Sequence, residues 1–130
     1  MPMKLTERDV TRQVRDFLEA HGWRAVRMQV ARIATVSGGF EVGELGMPDY
    51  LFLRYEADIP DLALESHVDF QPDSLPAVCQ ALWVEVKALG KRLSPAQVAW
   101  HQAERWRGAT IVVADDLDEF QRWYKSEIGY

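Results

Sequence analysis

Ala81-Leu82-Trp83-Val84-Glu85-Val86-Lys87-Ala88 is the stretch on which the reading of this chain turns. It is rich in β-formers, so residues 81–88 read as a strand. Alternation along a strand puts Glu85 and Lys87 on one face and Val84 and Val86 on the other. Two charges on the inward side of an apolar strand are expensive unless they are paired or meet a metal ion. The apolar neighbours argue against an ordinary solvent-facing side.

Upstream, residues 48–55 (P-D-Y-L-F-L-R-Y) read as a second strand, with proline first, where a missing N–H is tolerated. Asp49 opens it after a Gly46-Met47-Pro48 turn, so pairing of the two strands would bring Asp49 and Glu85 together at one end of the sheet. Between the strands, residues 56–80 hold six acids, three prolines and no lysine or arginine. They read as an acidic excursion with a short helix near 75–80. Residues 37–46 (S-G-G-F-E-V-G-E-L-G) read as a glycine-punctuated loop, and residues 23–33 as one strand. At the start, Thr6 and Asp9 form a helix N-terminus, followed by Val10, Val14, Phe17 and Leu18 at helical spacing. Glu7 extends the inward face of that helix, while Arg8, Arg12 and Arg15 mark another stripe. His21-Gly22 ends it.

Downstream, Ser94-Pro95-Ala96-Gln97 is a helix start with serine at N-cap, proline at N1 and glutamine at N3. That helix runs to about Arg107 and stops at Gly108. Residues 109–114 (A-T-I-V-V-A) form a short strand, and Asp115 or Asp116 caps a last helix carrying Leu117, Phe120, Trp123 and Tyr124. The order α-β-β-β-α-β-α implies an α/β fold, a mixed sheet with helices on both faces. Trp100 and Trp106 read as core.

The 130 residues, 48% of them apolar and five of them tryptophan, suit one domain with a core of its own. Cys79 is the only cysteine, so no disulfide forms within the chain and a reducing compartment is expected. No signal-peptide core opens the chain and no stretch approaches membrane-spanning length, so a cytoplasmic protein with no membrane partner is expected. The net charge of −5 is unpromising for a phosphate binder, but without the acidic excursion the rest of the chain carries one positive charge in excess.

Asp49 and Glu85 are hard oxygen donors of the kind that suit Mg²⁺ or Mn²⁺. Glu7 supplies a candidate third carboxylate and the carbonyl of Val86 a backbone ligand. Lys87, on the same face, fits the part of a cation that orients water and shares developing charge in phosphodiester hydrolysis. Lys91, Arg92, Arg8 and Arg12 are the candidate phosphate contacts. Singly these signals are weak, since E-x-K on a strand is commonly a surface ion pair and G-x-P-D an ordinary turn. His101, one turn beyond Gln97, could face the site, but helix surface is the commoner place for such a histidine, and it stays outside the catalytic set.

Together and in this order, G-M-P-D-Y at 46–50, W-V-E-V-K at 83–87 and G-K-R-L-S-P-A-Q at 90–97, after a helix with Glu7, resemble the PD-(D/E)xK nuclease superfamily. Within it the pattern is most similar to the VRR-NUC (virus-type replication-repair nuclease) family, across nearly the whole chain except the excursion. The resemblance implies a restriction-endonuclease-like core and metal binding by Asp49 and Glu85, with Glu7 as a further acid of the metal site. It also implies Lys87 as the catalytic lysine and Gln97 as a support to the site. A structure-selective DNA endonuclease, a branched substrate such as a Holliday (four-way) junction and a homodimer follow from the resemblance alone. A restriction-type nuclease is disfavoured by the lack of a recognition element. The rival of another class is a non-catalytic, nuclease-like module that binds nucleic acid or protein.

Overall fold

The computed structural model describes residues 5–28, 31–35, 38–55 and 79–129. In chain order the elements are α1 (Glu7–Ala20), β1 (Arg24–Arg27), β2 (Ala31–Thr35), β3 (Gly38–Val42), β4 (Tyr50–Tyr55), β5 (Cys79–Val86), α2 (Pro95–Trp106), β6 (Ile111–Ala114) and α3 (Leu117–Glu127). Four strands form a mixed sheet in the order β1-β4-β5-β6, and β2 and β3 pair apart from it. The contacts β1–β4 and β4–β5 are antiparallel, and β5–β6 is parallel. The chain is therefore a mixed α/β protein.

Local chemistry sets the helix boundaries as expected. Thr6 and Asp9 form a reciprocal capping box at the start of α1, and Ser94 and Gln97 form another at α2, with Pro95 at its first position. Asp116 caps α3 by accepting a hydrogen bond from the Glu119 N–H.

The core lies on one face of the sheet. Val10, Val14 and Leu18 of α1 and Phe120 and Tyr124 of α3 pack against Phe52, Leu82, Val84 and Val86. Each such side chain contributes on the order of 1.5–3 kcal/mol. The opposite face of β5 meets α2, where Trp83 packs edge-on against Trp100 with ring centroids 5.0 Å apart. The sheet thus has helices on both faces.

The expected strand over residues 23–33 is two strands, β1 and β2, which belong to different sheets. The expected loop over 37–46 contains β3, held by backbone pairing with β2 from Ala31–Val42 to Thr35–Gly38. Among the described residues the order is accordingly α-β-β-β-β-β-α-β-α, in place of the expected α-β-β-β-α-β-α. Of the acidic excursion, residues 56–78 lie outside the described residues, while Cys79 and Gln80 begin β5 instead of ending a short helix. Trp106 is not core: it is 92% exposed at the end of α2.

Candidate active site at the end of β4 and β5

Register brings the two expected carboxylates together. Tyr50 pairs with Val84 at the end of the antiparallel β4–β5 ladder, which brings Asp49, just before Tyr50, to the same end of the sheet as Glu85, just after Val84. Alternation along β5 puts Trp83 on the same face as Glu85, away from Leu82, Val84 and Val86 in the core. Asp49 is fixed from its other side, because its carbonyl accepts the Met28 N–H at 2.7 Å and so extends the β1–β4 ladder.

The turn leading into Asp49 is clamped to the first turn of α2. Gly46 has φ +88°, and a Cβ placed there would lie 2.2 Å from the Ala96 carbonyl oxygen. Only glycine combines that backbone with that approach. Pro48 is fully buried, and the Trp100 Nε1–H donates to Glu44 Oε2 at 2.8 Å. The G-x-P-D sequence is therefore the splice that holds the turn before Asp49 against α2.

Glu85 is only 3% exposed. Its pKa is pushed up to about 7, first by burial and then by the neighbouring charge of Asp49. Lys87 pulls it down, and Glu7 adds a smaller push upward. Its Oε1 lies 3.3 Å from Nε2 of His101, which is completely buried. Burial, followed by Arg105 and Lys87, lowers the pKa of His101, which favours the neutral ring. With Nε2 protonated and donating to Glu85, Nδ1 is a bare acceptor; it is buried without a hydrogen-bond partner among the described residues. The opposite tautomer would bury an unpaired N–H, so the first is the better assignment.

The sequence reading sets His101 aside as helix surface, whereas the structure buries it against Glu85. The apolar residues of α2 do not form one stripe: Val98 and Trp106 are exposed. The helix turns a histidine to the sheet because it faces a carboxylate there. A helix without a clear apolar face, packed against a charged strand, was the available signal.

Glu7 is exposed at the rim and lines a cleft of about 540 Å³ with Arg8, Thr11, Arg27, Asp49 and Tyr50. Val86 puts its side chain into the core, which leaves only its backbone for a ligand. Gln97 spends its Oε1 on the Ser94 N–H at 2.9 Å, a capping contact. Lys91 and Arg92 are exposed in the connection after β5. Arg12 points to Asp9 at 3.7 Å and does not line the cleft, whereas Arg8 does.

Among the described residues, no three of His, Cys, Asp and Glu draw together into a ready metal-holding group. Glu85 nevertheless lies within electrostatic reach of Asp49 and Glu7. A hard cation held between these carboxylates would replace their repulsion by attraction. Among the described residues, no helix is long and apolar enough to cross a membrane.

In comparisons with protein-family models, curated proteins and solved structures, nothing matches the chain.

Proposed function

We propose that the chain is a Mg²⁺- or Mn²⁺-dependent, structure-selective DNA endonuclease with a restriction-endonuclease-like core of the VRR-NUC kind. One observation carries the reading: the Tyr50–Val84 pair ends the β4–β5 ladder, so Asp49 just before it and Glu85 just after it lie at one end of the sheet, with Lys87 two residues beyond Glu85. Asp49 and Glu85 would hold the ion, helped by the Val86 carbonyl and, from the rim, by Glu7. When bound, the ion supplies Lewis-acid polarisation of a phosphoryl oxygen and a water of lowered pKa. The Lys87 ammonium orients that water and shares the negative charge that develops on the phosphoryl oxygens. His101 holds one oxygen of Glu85 and keeps the carboxylate from swinging. Gln97 supports the site indirectly, by fixing the first turn of α2 against Gly46. Lys91 and Arg92 offer charge to the DNA backbone, a contact that positions without reading sequence. A four-way-junction substrate and a homodimer rest on the motif resemblance.

A non-catalytic module that binds nucleic acid or protein is the second reading. The Glu85–His101 hydrogen bond favours it by giving the buried carboxylate a partner within the fold, and so does the net charge of −5.

Cleavage of labelled four-way junction, flap and linear duplex with Mg²⁺ or Mn²⁺ separates the two, with Glu85→Gln run beside the wild type. The nuclease reading predicts cutting that EDTA abolishes and that the variant loses by at least about a thousandfold, several kcal/mol of transition-state stabilisation. Symmetric nicking of the junction would support the resolvase form. Equal inertness of both proteins on all three substrates would establish the module instead.

A further inference from the structure

Beside the carboxylates, the cleft between α1 and the end of the sheet carries two cations. The β1–β4 register sets Arg27 opposite Tyr50, on the side of the sheet that faces α1. Arg27 is exposed at the last position of β1, so the strand anchors its backbone, and it lines the cleft. Arg8 enters the same cleft from the first turn of α1. Both stand near Glu7 and Asp49, yet among the described residues neither makes an ion pair. The other two arginines of the α1 stripe are engaged, Arg12 with Asp9 at 3.7 Å and Arg15 with Glu19 at 2.9 Å. Two arginines that line one cleft without an ion pair among the described residues, next to a site read as hydrolysing phosphodiesters, offer the planar guanidinium forks by which arginine grips phosphate oxygens.

We propose that Arg27 and Arg8 form a phosphate seat for the nucleic-acid backbone, adjoining the Asp49–Glu85 site on its α1 side. The inference rests on the nuclease reading for its ligand, and it puts Arg27 in the role that the helical stripe alone would give to Arg12. The seat holds the strand on one side of the cut, while Lys91 and Arg92 lie on the β5–α2 connection. Because the contact is to phosphate, it adds affinity without sequence preference.

The test is the salt dependence of binding to a fluorescent DNA duplex in EDTA, where no cleavage intervenes. Wild type, Arg8→Gln, Arg27→Gln, the double variant and Arg122→Gln on α3 are compared. Each phosphate contact contributes about 0.9 to the slope of log affinity against log salt. The slope is expected to fall by about one in each single variant and by about two in the double variant, with Arg122→Gln unchanged. An unchanged slope in the double variant, or no salt-sensitive binding by the wild type, overturns the seat. Cleavage by the wild type in Mg²⁺ or Mn²⁺ is scored separately. Cutting with an unaltered slope discards the seat and keeps the nuclease, whereas a reduced slope without cutting keeps the seat and discards the nuclease.

Discussion

Two polar clusters sit on the same pair of strands, one at each end, and they are built on opposite principles. At the Tyr55 end of β4, Arg54 donates to Gln80 Oε1 at 2.7 Å, the Tyr124 hydroxyl at 3.0 Å and the His21 carbonyl at 3.3 Å. Its guanidinium lies 4.7 Å from the centre of the Trp23 ring, and the Trp23 Nε1–H donates to the same Tyr124 hydroxyl at 3.0 Å. Each of these contacts is complementary. At the other end, Asp49 and Glu7 press on the buried Glu85, and His101 leaves a ring nitrogen without a hydrogen-bond partner among the described residues. A fully satisfied buried network rigidifies a fold, while a conflicted one carries a cost that selection tolerates where chemistry needs it. On the proposed reading the second cluster is the one that carries function.

The largest effect on stability is expected from the device that holds the conflicted end together. Gly46→Ala needs a left-handed backbone and drives a methyl into the Ala96 carbonyl, so it should cost about 2–5 kcal/mol in denaturant unfolding. A loss below about 1 kcal/mol would mean that α2 does not clamp the Asp49 turn.

Next, relieving the conflict should stabilise the metal-free protein. Because folding raises the Glu85 pKa from 4.5 to about 7, its favourable contribution is complete below pH 4.5 and is lost as pH rises through 7. Glu85→Gln cannot ionise, so above pH 7 it should be more stable than wild type by roughly 3 kcal/mol, and near pH 4 about equal. Paired unfolding curves at pH 4 and pH 8 decide this. A destabilised variant at pH 8 would show Glu85 to be a structural anion.

The satisfied end should behave in the opposite way. Tyr124→Phe removes the oxygen that accepts from both Trp23 and Arg54, at a cost of about 2 kcal/mol. The loss should be similar at pH 5 and pH 8 and insensitive to Mn²⁺. Dependence on metal would tie this end to the site and erase the contrast.

The sequence makes much of this contrast legible, since strand alternation separates Glu85 and Lys87 from Val84 and Val86, and the Gly46–Asp49 turn marks the neighbouring strand. The capping motifs of α1 and α2 are equally readable. The split between β1 and β2 is not, because Met28-Gln29-Val30 contains neither glycine nor proline to announce it. The strand β3 is hidden for the reverse reason: Gly38-Gly39 signals a loop, and only pairing with β2 makes it a strand. Long-range contact also decides His101 and Trp106, which share one helix and fall at opposite extremes of burial. Helical spacing cannot rank them until the charged partner of α2 on β5 is known.

The central claim is that Asp49 and Glu85 form one divalent-metal site. Mn²⁺ titration followed by the EPR signal of free Mn²⁺ at pH 8, where Glu85 is ionised, tests it without relying on cleavage. Saturable binding to wild type that is lost in Asp49→Asn and in Glu85→Gln, with both variants folded, is the expected result. Wild type that leaves all Mn²⁺ free, or variants that bind it as wild type does, would contradict the claim.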